Sequence, residues 1–272
     1  MLKRGGLLLL AWAALAVVES SNDAVGSLQE INVGRIALVD GLAWTGPGGT
    51  VVRLVGKPVA GRRLASSVCP TAHLAALELL RDAPHAQITV DESGRSAYLA
   101  YGRASGPSVT EREVGARQWK IRIEKRRPDR LAGRLTHSSH GGFRFDLPIA
   151  PGAQSGEAFV EPLQPAALVS AHDALRSAVT RRDLRALLAA QRFSAVEIAA
   201  LEALPDLRQD LDAFALRFLD ADAPADVARR AEGTSYLLFR GRNPEGRPFA
   251  NFYHFVGCRG TPVLVKIAVN PQ

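Results

Sequence analysis

The sequence predicts an α+β fold: an N-terminal half that is a mostly antiparallel β-sheet or sandwich with one helix, then C-terminal helices followed by an antiparallel meander. Three observations predict it. Upstream of Pro148 the apolar residues mostly alternate with polar ones and are punctuated by turn residues. From Ala166 to Phe218 they recur at helical spacing, and from Tyr236 to Val269 the period returns to two. Between the halves, residues 150–165 are rich in Pro, Gly and small residues. The expected organisation is a leader over residues 1–20, a β-rich domain over 28–149, a linker over 150–165 and an α+β domain over 166–272.

The leader rests on charge and length. Lys3 and Arg4 form a cationic start, Leu7 to Val18 is apolar and uncharged, and Ser20 and Ser21 follow. That apolar run is roughly twelve residues, short of the roughly twenty a membrane-spanning helix needs. The pattern predicts a secretory signal peptide cut after Ser20, and hence a periplasmic or secreted product. A retained N-terminal anchor is the alternative. No cysteine follows the run, so nothing signals a lipid-modified N-terminus.

In the β-rich half, Val33 to Val39 and Val51 to Val55 read as strands with Gly46 to Gly49 turning between them. Pro70 suits a first helical turn, and Leu74, Leu77 and Leu80 give a helix over His73 to Arg81. Ile88 to Val90 and Ala97 to Tyr101 flank the turn Asp91 to Gly94 as a hairpin. Trp119, Ile121 and Ile123 alternate with Lys120, Arg122 and Glu124. Phe143, Phe145 and Leu147 alternate with Arg144 and Asp146. Each set describes a strand with one buried face.

In the second half, Ala166 to Val179 reads as a helix. Thr180 and Asp183 resemble a capping signal for Leu184 to Ala190, and Ser194 with Glu197 repeats it for a helix that Pro205 ends. Leu207, Leu211, Phe214 and Phe218 make the stripe of a fourth helix. Tyr236 to Arg240, Phe249 to Val256 and Val263 to Val269 are strands, with turns at Asn243 to Gly246 and Arg259-Gly260. Ala228 to Glu232 is a further strand candidate.

The opening helix Ser170 to Val179, the short helix Asp183 to Leu188 and the meander from Tyr236 to Ile267 together resemble the NTF2-like cone-fold families. The resemblance covers roughly the last hundred residues and lies in element order. It implies a curved sheet wrapped on helices, with a pocket that some relatives use for small apolar ligands or catalysis and many use only for dimerisation. The chain departs from it in an extra helical stretch between Phe193 and Leu219, and it shows no Asp-His pair of the enzymatic kind.

The formal net charge is +7, which admits an anionic partner. Only five of the 34 basic residues are lysine, and the arginine pairs 62–63, 181–182 and 229–230 are scattered among carboxylates. The one dense cluster, Lys125-Arg126-Arg127, runs into Pro128-Asp129-Arg130 and reads as a turn between strands. A solvated surface is the expectation, and an anion-binding patch the alternative. Cys69 and Cys258 are the two cysteines. They either pair, which an oxidising compartment favours, or stay buried as separate thiols.

Candidate chemistry is sparse. His137 and His140 bracket a turn and are weak metal-ligand candidates without a third ligand nearby. His73 lies four residues after Cys69, and a free thiol there could be polarised by it. In the last meander, Phe249, Asn251, Tyr253 and Phe255 share one strand face, and Ala250, Phe252, His254 and Val256 the other. Tyr236, Tyr253 and His254 are the candidate pocket residues. The expected function is an exported, non-catalytic binding or assembly module of the cell envelope, the alternative a small-ligand carrier or enzyme using the C-terminal cone. The expected partner is an envelope protein, a small apolar ligand or a second copy through the C-terminal sheet. No nucleic acid, cofactor or transmembrane span in the mature protein is expected.

Overall fold

The structure, a computed structural model, describes residues 24–30, 34–46, 49–91, 96–103, 119–137, 141–150, 163–217, 226–229, 235–242, 246 and 248–271. The segment 1–20 expected to be a leader, His140 and most of the tract 150–165 lie outside them.

The fold is α+β. Its first sheet contains β1 (Ala24–Glu30), β2 (Gly34–Leu38), β3 (Asp40–Gly46), β4 (Gly49–Val55), β5 (Pro84–Val90), β6 (Ser96–Arg103), β7 (Trp119–Arg127), β8 (Arg130–His137) and β9 (Gly141–Ala150). The order is β2-β1-β9-β3-β4-β5-β6, with β7 and β8 attached to β9. β9 is the corner. It pairs antiparallel with β1 and β8, then reaches β3 in parallel at Ile149 and Ala150. The sheet therefore curls, and its two layers enclose Val52, Leu54, Ile88, Leu131, Leu135, Phe143, Phe145 and Leu147. Gly133 faces Phe145 in register, and a Cβ there would come within 2.8 Å of the phenyl ring.

The other face of β3 and β4 carries Leu42, Trp44, Val51 and Val55, and these belong to a second core. Two helices lie nearby, α1 (Gly61–Leu64) and α2 (Pro70–Arg81). The C-terminal half supplies α3 (Pro165–Thr180), α4 (Leu184–Ala190), α5 (Ala195–Glu202) and α6 (Leu207–Arg217), then the sheet β10 (Asp226–Arg229), β11 (Ser235–Arg242), β12 (Pro248–Cys258) and β13 (Thr261–Pro271). Asp183 itself caps α4 by accepting from the Ala186 amide at 2.9 Å, whereas Thr180 is still helical and ends α3. Ser194 and Glu197 close a capping box on α5. Arg259 and Gly260 both have positive φ, 48° and 77°, the two-residue turn that suits the twist of an antiparallel hairpin.

Helix α2 is the keystone, buried on nearly its whole circumference. Leu74 and Leu77 enter the second core, while Ala72 and Ala76 pack on Val256 and Val263 of the C-terminal sheet. Cys69, just before α2, is disulfide-bonded to Cys258 at the end of β12, with Cα atoms 5.9 Å apart. This resolves the cysteine alternatives in favour of pairing and removes the free thiol that His73 would have polarised.

Because α2 has little free surface, its polar residues must find buried partners. Glu78 takes a forked pair of hydrogen bonds from Arg53, at 3.0 and 2.8 Å. Arg81 is 2% exposed. It donates to Asp210 of α6 at 2.8 Å, to the Pro205 carbonyl at 2.8 Å and to the Pro58 carbonyl. One guanidinium thus ties α2 to the chain before α1 and to the start of α6, using the donor fork that only arginine offers.

Candidate functional site

The C-terminal sheet has two faces of opposite character. Its inner face carries Leu237, Phe239, Tyr253, Phe255, Leu264 and Ile267, all in the second core. His172 of α3 stacks on Phe239 at 4.4 Å between ring centroids and meets Tyr253 edge-on at 4.7 Å. Phe239 and Tyr253 form a further T-shaped contact at 5.4 Å. Tyr253 and Phe255 have no solvent exposure, and Leu175 and Phe214 close the space from the helices. Among the described residues this face and the helices share one packed core.

The outer face is different. Register places Tyr236, His254 and Lys266 in one cross-strand row, and Leu238, Phe252 and Ala268 in the next. All six are half-buried. The Tyr236 ring centroid lies 5.7 Å from Phe252 and 5.8 Å from His254. Further along this face Val256 is covered by α2, so the aromatic rows begin where the helix cover ends. The three pocket candidates therefore do not converge. Tyr236 and His254 stand together outside, while Tyr253 points inward against His172. Asn251 also faces inward, and the side chain of Phe249 lies outside the described residues.

A histidine, a serine and a glutamate do meet at the start of α2, a grouping that the sequence reading missed because the residues are distant in the chain. His73 Nδ1 lies 3.1 Å from Ser67 Oγ and 3.7 Å from Glu197 Oε1, with Phe193 stacked on the imidazole at 4.2 Å. Both oxygens approach the same ring nitrogen. A proton relay needs the hydroxyl on one nitrogen and the carboxylate on the other, so the cluster lacks the geometry of a nucleophilic triad. His73 is also wholly buried. Burial pushes its pKa below the ordinary imidazole value, against the raising effects of the Glu197 carboxylate and the Gln191 backbone.

Two clefts are already neutralised by their own walls. One, of about 190 Å³ between α2 and the strands β3 to β5, is bordered by Trp44, Leu74 and the Arg53–Glu78 pair. The other, of about 340 Å³ across α4 to α6, sets Arg182 and Arg185 against Asp212 and Glu202 in ion pairs. His137 ends β8 with its backbone opposite Trp119 and Gly141. Its side chain, like all of His140, lies outside the described residues. Among the described residues no three potential ligands gather to hold a metal ion, and no helix is long and apolar enough to cross a membrane.

Comparison of the chain with protein-family models, with curated proteins and with solved structures finds no match.

Proposed function

We propose that the protein is exported by its leader and acts in the cell envelope as a non-catalytic binding or assembly module. In this reading the C-terminal half is an NTF2-like cone whose interior serves as core, and the outer aromatic rows of β11 to β13 receive a partner protein. The observation that carries the reading is the division of the sheet: Tyr253 and Phe255 fill its inside, while Tyr236, Phe252 and His254 stand half-exposed outside. Aromatic side chains with a polar tip are the type enriched at protein interfaces. The disulfide supports export, because such bonds persist outside the reducing cytoplasm.

A photo-crosslinking amino acid at Phe252 tests the proposal, with the same group at the exposed Val196 of α5 as control. The expected result is a discrete protein adduct from position 252 and none from 196. An adduct of twice the chain mass identifies the partner as a second copy. A bare result at 252, together with a small molecule that co-purifies stoichiometrically, overturns the proposal in favour of a ligand carrier.

A further inference from the structure

The solvent side of β7, β8 and β9 gathers basic residues that the chain keeps apart. Arg122 is paired directly opposite Arg134, and Arg134 directly opposite Arg144. Neighbouring strands lie about 4.8 Å apart, so the three arginines form one row about 10 Å long. Like charges placed directly opposite one another across strands are destabilising. Arg134 has one carboxylate partner, Glu124 at 3.1 Å. Among the described residues Arg122 and Arg144 have no ion-pair partner.

The row is extended by its neighbours. Lys120 lies one step along the same face of β7. A bulge after Ile123 brings Lys125 opposite Ala132, and Arg127 opposite Arg130, both on the outward side of β8. Lys120, Arg122, Lys125, Arg127 and Arg144 are exposed. Arg126 leaves the array: it turns to the other layer and donates to Thr50 Oγ1 at 2.6 Å. Among the described residues Glu124 and Asp146 are the carboxylates on these three strands, each bound to an arginine, and Asp129 lies in the turn between β7 and β8.

The surface between these charges is low. Ala132, Thr136 and Gly142 are the remaining outward positions of β8 and β9 around the row, while Leu131, Leu135, Phe143 and Phe145 anchor the same strands in the core beneath. Those outward positions of β8 and β9 hold no aromatic ring, so the row lacks the stacking platform that single-stranded nucleic acid uses. Among the described residues no helix lies in β7, β8, β9 or the turn between β7 and β8 to enter a duplex groove. An exposed cationic array on strands anchored in the core complements an extended anionic surface.

We propose that the outward face of β7, β8 and β9 docks on a membrane surface rich in anionic lipid headgroups, with the Arg122–Arg134–Arg144 row at its centre. The contact is electrostatic and lies on a different element set from the outer aromatic rows of the C-terminal sheet, so it stands independently of the function proposed above. Docking relieves the repulsion along the row, because headgroup phosphates supply the missing counter-charge.

Vesicle co-sedimentation with the full chain tests this, using vesicles of about 30% phosphatidylglycerol in phosphatidylcholine, a composition whose negative surface potential attracts basic segments. Vesicles of phosphatidylcholine alone measure whatever the apolar segment Leu7–Val18 contributes. The expected excess binding to the anionic vesicles falls steeply between about 0.1 M and about 0.5 M salt, as screening shortens the field. The variant R122Q/R134Q/R144Q should lose that excess by about tenfold or more, and should melt close to the parent because Arg122 and Arg144 are exposed and the surface pair of Arg134 with Glu124 contributes little. R181Q/R185Q/R208Q, with equal loss of charge on the helical side, should bind like the parent. Equal losses in both variants reduce the effect to net charge and overturn the assigned face. Absence of excess binding to the anionic vesicles overturns the proposal outright. So does binding of DNA through the same row when the vesicles are ignored.

Discussion

His73 sets two forces against each other on one side chain. It is fully buried and stacked on Phe193, which disfavours the imidazolium, while Glu197 at 3.7 Å favours it. Burial is the larger effect, so the folded-state pKa is depressed. In the unfolded chain the group titrates near about 6.5. As pH falls through that value the unfolded state takes up a proton that the folded state resists, and stability falls with it. Stability from this residue is therefore complete above about pH 6.5 and declines in acid. His73→Gln keeps a hydrogen-bonding side chain beside Ser67 but cannot titrate. Its melting temperature should fall less than the parent's between about pH 7.5 and about pH 5.5, a window that spans the ordinary imidazole pKa. Parallel pH profiles for the two proteins would assign the acid sensitivity elsewhere.

At the scale of the element, β13 is the edge of the C-terminal sheet among the described residues, and an edge strand presents peptide groups without a strand partner. Gln191, the residue closing α4, answers part of that need. Its amide donates to the Leu264 carbonyl at 3.2 Å and accepts from the Leu264 amide at 2.9 Å, so one side chain imitates the missing strand. Leu264 is unexposed and sits beside the bulge opposite His254 and Phe255. Gln191→Leu leaves a buried donor and a buried acceptor unpaired and should cost about 2 kcal/mol or more, read from urea unfolding. Gln191→Glu, which keeps only the acceptors, should also destabilise. The helices flanking this contact were legible in the sequence because caps and periodicity are local signals: Asp183, Ser194 and the stripe Leu207, Leu211, Phe214 mark their own elements. Strand β3 was not legible. It is buried on both faces between the two cores, so Gly41 to Trp44 show no alternation. Helix α1 was missed for a different reason, since its preceding residue is Ala60 at φ 54°, a left-handed position carrying no sequence cue. The arginine row was invisible for a third: Arg122, Arg134 and Arg144 become neighbours only once two strand registers are fixed. The inward turn of Tyr253 and outward turn of His254 could be paired off from alternation, but which face met the helices could not.

The whole molecule raises the question of how many units unfold. The sequence change near residue 150 divides two textures, yet the second core takes Leu42, Trp44 and Val51 from one side of that change and Leu175, Phe214 and Tyr253 from the other. Arg81 reaches across to Asp210 and Pro205, so the halves also share a buried ion pair and a side-chain-to-backbone hydrogen bond. The disulfide adds a covalent tie over a separation of 189 residues, which by loop-closure entropy stabilises by about 4–5 kcal/mol. An apolar core, an ionic clamp and a covalent bond join the same two halves, so neither half keeps its buried surface when the other melts. Calorimetry of the protein should therefore give one transition whose calorimetric and van't Hoff enthalpies agree. Cys69→Ser with Cys258→Ser should lower the melting temperature while keeping a single transition, because the core and the Arg81 clamp remain. Two separable transitions in the disulfide-free variant would mean that the bond alone couples the halves. Two transitions in the parent would mean that the shared core contributes too little to couple them at all.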